Sequence, residues 1–204
     1  MNKRDEFLTK MYDQMFNDIN QHILVSWQSI GVLIAAFALL SLTEKGVLSI
    51  DIAASLIILV CAWLIAHLYD ASYWYNRNLV IIANIERQFL KVEDLKLIHY
   101  YFGVHRPKNK MIFHFRIQYA LGGTLGIIVL IYHFVTKVKP TLSLSHEIDY
   151  LILLPYLLTL ASIIYLRYIA KQRLDSYQEF ISNSPGKKID TTGIKYGIGH
   201  GYKA

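Results

Sequence analysis

Leu56–Ala71 reads LIILVCAWLIAHLYDA, and Ser72–Leu90 continues as SYWYNRNLVIIANIERQFL. The first stretch is apolar enough for a lipid bilayer. The second leaves it with a run of aromatics, two arginines and a renewed apolar pattern. Between Gly46 and Gly103 there is neither a glycine nor a proline. Nothing therefore stops the helix of the first stretch at the membrane surface. Ile82, Ile85, Phe89 and Val92 recur at three- and four-residue spacing, which makes one apolar stripe. Asn78, Asn84, Arg87 and Lys91 fall on other faces. The expectation is a span that continues as an amphipathic helix, with a bend near Asp94. Its stripe must be covered by the lipid interface, the C-terminal tail or another subunit.

Working outward, four stretches are long and apolar enough to cross about 30 Å of hydrocarbon. They are Leu24–Leu42, Ile50–Leu68, Ile117–Val135 and Tyr150–Ile169. With 54% hydrophobic residues and 15 tyrosines, the composition suits a membrane protein with aromatic interfacial belts. The first 23 residues are polar and mixed in charge, without the short apolar core of a signal peptide. A single cysteine, Cys61, excludes an intrachain disulfide framework and reads as a small core residue.

Of the 21 Lys and Arg, 18 lie in the N-terminal segment, the 70–116 segment and the tail from Arg167. Positive charge is retained on the cytoplasmic side. Both termini and the central segment are thus expected on the cytoplasmic side. The reading is all-α with four transmembrane helices and a helical cytoplasmic layer. It divides as 1–23 N-terminal helix, 24–68 first hairpin, 69–116 amphipathic segment, 117–169 second hairpin and 170–204 tail.

Candidate residues follow from placement. Tyr73, Trp74 and Tyr75 suit a headgroup belt with Arg77 on lipid phosphate; the sharper reading sets Arg77 on a bound anion and Asn78 at a pore mouth. His67 and Asp70 share a helical face at the end of the second span and could line a vestibule, or sit simply at the interface. Gly122 and Gly126 in the third span have the small-xxx-small spacing of a packing face. Pro155 can bend the fourth span, where Tyr156, Thr159 and Ser162 form a weakly polar stripe. HRPKNK at His105–Lys110 brings three positive charges beside the third span. Arg87, Arg106, Lys108, Lys110, Arg116 and Arg173, with Arg77, either meet anionic lipid or form an anion site for a nucleotide or short oligonucleotide. The tail's GIKYGIGHG does not follow a strand and open a helix, so it is not a phosphate loop. The eight histidines show no metal-ligand spacing, and no catalytic constellation is present. Neither enzymatic activity nor a cofactor or metal is expected.

The span pair at 24–68 followed by YWYNRNLVIIANIERQFL resembles the small membrane effectors of bacterial antiviral defence systems, the SLATT-like modules and the Hailong-type and Kiwa-type membrane components. The likeness is one of organisation and covers about residues 24–100. It implies a homo-oligomeric pore or membrane-disrupting effector controlled by a nucleotide signal or a soluble partner. One subunit's helices leave little room for an aqueous path, so a pore is expected on the axis of a ring, taken as a tetramer. The rival is a non-channel anchor or sensor that docks a soluble partner.

Overall fold

The computed structural model describes residues 2–28, 30–90, 94, 108–141 and 149–184, and of Val25, Ser26 and Gln28 the backbone alone. Among the described residues all regular structure is helical. The order is α1 (Lys3–Gln28), α2 (Ile30–Glu44), α3 (Ile50–Phe89), α4 (Phe113–His133), a π-helical turn (Phe134–Val138), α5 (Lys139–Thr141), a 3-10 turn (Tyr150–Leu153) and α6 (Leu154–Asn183). Among the described residues, three helical stretches are long and apolar enough to cross a membrane: Ile50–Phe89, Phe113–Thr141 and Tyr150–Asn183. α2 is apolar but has 15 residues. Alone it rises only about 22 Å.

The chain groups into two compact units. Unit 1 comprises Met1–Ile23, Ala71–Lys110 and Arg173–Ala204; unit 2 comprises Leu24–Asp70 and Met111–Gln172.

In unit 2, α2 and α3 are joined by a tight turn built by two local devices. Gly46, at φ 70, ends α2, with Gly46 N donating to Thr43 O and Val47 N to Leu42 O, both at 3.0 Å. That is the paired hydrogen-bond pattern of a glycine C-terminal cap. Ser49 then caps α3, its Oγ accepting from Ile52 N at 3.3 Å. Ala36 on α2, Ala54, Ile57 and Cys61 on α3, and Val129 on α4 form the central cluster. α4 runs antiparallel to α3 along a stripe of glycines. A Cβ on Gly122 would meet Leu64 Cδ2 at 3.2 Å, and one on Gly126 would meet Ile58 Cδ1 at 3.6 Å. Pro155, expected to bend a span, is the second residue of α6, where its missing N–H costs no intrahelical bond. The irregularity lies just ahead of it, where the 3-10 turn capped by Asp149 passes into α6.

In unit 1, α3 continues helically to Phe89 and buries two sides. Leu79, Ile82 and Ala83 pack with Ile19, Tyr12, Met15, Phe16 and Ile23 of α1. Val80 packs with Tyr177, Ile181 and Phe180 of α6. Each fully buried aliphatic here contributes about 1.5–3 kcal/mol. Of the expected stripe, Ile82 packs against the chain's own N-terminal helix and Ile85 is buried, while the cluster facing α1 extends back to Leu79 rather than forward. Phe89 is exposed, and Val92 lies outside the described residues. So do the neighbours of Asp94 and the tail from Pro185.

Candidate functional site

The basic candidates divide between the units. In unit 1, Arg77 lies over Trp74 and Phe180, its guanidinium carbon 5.1 and 5.5 Å from the ring centroids, within cation–π range. Arg173 lies 5.3 Å over Tyr73. Tyr73 meets Trp74 and Tyr177 edge-on, so Arg77 and Arg173 share one aromatic cluster. Arg87 is half-buried in the last turn of α3, where a cation complements the helix dipole.

Lys108 and Lys110 are exposed, and a residue that sequence reasoning passed over anchors the backbone at Lys110. Asn76, fully buried on α3, donates from Nδ2 to Asn109 Oδ1 at 2.8 Å and to Lys110 O at 3.0 Å. The same amide reaches Ser72 O at 2.8 Å. Arg116 falls in unit 2, over Phe113 at 5.9 Å. Arg106 lies outside the described residues. Of the seven basic candidates, Arg77 and Arg173 are brought together in one described aromatic cluster.

Of the vestibule candidates, His67 is half-buried and stacks on Trp63 at 5.7 Å with planes 10° apart. Asp70 is half-buried, and Asn78 is buried within unit 1. Gly122 and Gly126 both face α3 of the same chain.

Unit 1 also contains a cleft of about 690 Å³, bounded by α1, α3 and α6. Met11, Ile81, Ile85 and Phe180 supply its apolar walls, and Asn84, Gln88, Ser176 and Glu179 its polar groups. Among the described residues that line it there is no lysine or arginine, and one carboxylate. The volume fits a small organic ligand or a protein side chain.

A second constellation lies at one end of unit 2. Starting from the Gly126–Ile58 contact, seven residues forward on α4 is His133, and seven back on α3 is Asp51. His133 Nε2 lies 2.9 Å from Asp51 Oδ1, and His133 Nδ1 lies 3.1 Å from Tyr156 Oη on α6. His133 is 0% exposed and Asp51 4%. The His133 and Tyr156 rings meet at 5.4 Å. The π-helical turn begins at the next residue, and Thr136 Oγ1 in it donates back to Tyr132 O of α4. Such turns recur at functional positions. Asp51 and His133 were not among the sequence candidates, because they stand 82 residues apart. The available signal was register: Gly122, Gly126, Val129 and His133 fall on one buried stripe of α4.

The chain matches no protein-family model, no curated protein and no solved structure in these comparisons.

Proposed function

We propose that this chain is a gated ion channel or membrane-depolarising effector that works as a closed ring of identical subunits, a tetramer in the simplest form. The observation that carries the reading is α3, a single 40-residue helix that belongs to unit 2 at its start and to unit 1 at its end. An uninterrupted helix passes a displacement at one end to the other, as gating by a ligand or partner requires. α1 and α6 are shared between the units in the same way.

The membrane arrangement belongs to the same proposal. Four spans are reached when the end of α1 and α2 together cross as the first. The segments collected in unit 1 are those rich in Lys and Arg, which supports a cytoplasmic position for that unit and both termini. The outward faces of the spans support lipid and subunit contacts: Ile127, Ile128 and Ile131 on α4 and Leu157, Leu160 and Ile164 on α6 are exposed. The bacterial inner membrane and a role in antiviral defence rest on the resemblance of organisation. The proposed trigger is a nucleotide or short oligonucleotide at Lys108, Lys110 and Arg106.

One observation favours the rival reading of an anchor or sensor. The cleft of unit 1 is largely apolar and carries Glu179, which suits a side chain of a soluble partner better than a phosphate.

The test is ion flux from liposomes holding the purified chain, with and without cyclic nucleotides and short oligonucleotides. The Arg106→Ala/Lys108→Ala/Lys110→Ala variant runs in parallel. Flux that responds in the wild type and loses its response in the variant supports the channel with an anion trigger. Well-folded oligomer that stays silent under every condition overturns the channel and leaves the anchor or sensor.

A further inference from the structure

The Asp51–His133–Tyr156 network, buried at Asp51 and His133, plays no part in the channel reading and has a chemistry of its own. An imidazole whose two nitrogens both meet oxygen has two ways to satisfy them. With the ring neutral, Nε2–H donates to Asp51 Oδ1 and Nδ1 accepts the Tyr156 hydroxyl hydrogen. The carboxylate sets this tautomer, because an ionised carboxylate only accepts. With the ring protonated, Nε2–H still donates to Asp51, but Nδ1 now carries a hydrogen and must donate. The Tyr156 oxygen then becomes the acceptor, and its own hydrogen turns elsewhere. One proton therefore reverses one hydrogen bond, the one that ties α6 to α4.

We propose that Asp51, His133 and Tyr156 form an intramembrane proton-binding site whose occupancy sets how the first turns of α6 are held on α4. Geometry and placement carry the inference. An ionisable pair enclosed in an apolar unit is costly to keep and points to a proton or ion function. Each member comes from a different helix: Asp51 from the first turn of α3, His133 from the end of α4 and Tyr156 from the first turn of α6. Tyr156 is only half-buried, so a proton has a route to the ring along it. The joints beside the site are irregular, with the π-helical turn after His133 and the 3-10 turn before α6. Such joints can take up a small change in helix position. Among the described residues, the titratable groups that meet the ring are Asp51 from α3 and Tyr156 from α6. On α4 and the turn after it, Tyr132 and Lys137 are exposed. His146 and Glu147 lie outside the described residues.

The experiment uses the full chain in lipid nanodiscs, with isotope-labelled histidine and tyrosine, followed by NMR from about pH 4 to about pH 9. His133→Gln assigns the ring; should that variant fail to fold, the ring is assigned in the wild type by its through-space contact with Tyr156. Amide hydrogen exchange over the start of α6 is read in the same samples. At high pH the expected state is a neutral ring protonated at Nε2. On acidification Nδ1 gains a proton, the Tyr156 signal moves at the same midpoint, and exchange at the start of α6 changes with it. In Tyr156→Phe the ring still takes up its proton, but exchange in α6 no longer follows. A His133 that keeps one protonation state across the whole range, or that titrates while Tyr156 and α6 stay still, overturns the proposal and leaves a static hydrogen-bonded contact. Because no ion flux enters the readout, the outcome is independent of the channel reading.

Discussion

Tyr12 on α1 donates its phenol hydrogen to Glu86 Oε1 on α3 at 3.2 Å. Burial first, and the Glu86 carboxylate second, push its pKa from 10.0 up to about 12. The folded state thus prefers the neutral phenol, since a phenolate there is partly desolvated and faces a carboxylate. The sign follows directly. This contribution is complete below pH 10 and is lost as the pH rises from the ordinary value of 10.0 towards about 12. Thermal unfolding in detergent micelles should therefore fall more steeply with pH in this window for the wild type than for Tyr12→Phe. At neutral pH the variant should be less stable by about 1 kcal/mol, the net worth of one hydrogen bond. Curves that stay parallel through the window would remove Tyr12 from the linkage. At the same scale, Asn76 and His133 show why single residues were hard to read. Each is an ordinary polar side chain until the structure supplies partners 33 and 82 positions away.

The α3–α4 pair is where helix packing can be tested as a unit. Without water to expel, two helices in lipid gain from close approach, and Gly122 allows it. An added Cβ there meets Leu64 Cδ2 at 3.2 Å, whereas one on Gly123 meets nothing within 4 Å. Gly122→Leu should destabilise the chain by about 1–3 kcal/mol through overpacking. Gly123→Leu should change stability little, and thermal unfolding in micelles separates the two. Equal losses would mean that glycine at these positions serves backbone freedom alone. Because the contact shares its register with Asp51 and His133, Gly122→Leu should also disturb the His133 signals. The glycine spacing was legible as a packing face. That its partner is α3 of the same chain was not, because the spacing describes only one of the two surfaces.

For the whole molecule the decisive question is which of the apolar helices cross a membrane. Single cysteines in place of Lys10, Lys45, Lys108 and Lys137 can be labelled with an impermeant maleimide in vesicles of known orientation. Cys61 is buried and gives little background. Four spans require Lys45 and Lys137 to label from one side and Lys10 and Lys108 from the other. Lys10 and Lys45 labelling from the same side would mean that α1 and α2 do not cross, leaving the three long apolar stretches as the spans.

The all-helical class and the long apolar helices are written in local sequence. A run of about twenty apolar residues has few alternatives in lipid, because only a helix satisfies every backbone group internally. The passage of α3 beyond its most apolar stretch was equally local, since no glycine or proline interrupts it. The tertiary structure decided what covers that helix: α1 on one side through Ile19, and the end of α6 on the other through Tyr177. It also decided that Arg77 and Arg173 share one aromatic cluster, and that Asp51, His133 and Tyr156 meet inside unit 2. The physical reason is common to all of these. Periodicity states which face of a helix must be buried, but the identity of the opposing face depends on the register of two helices, which no single segment encodes.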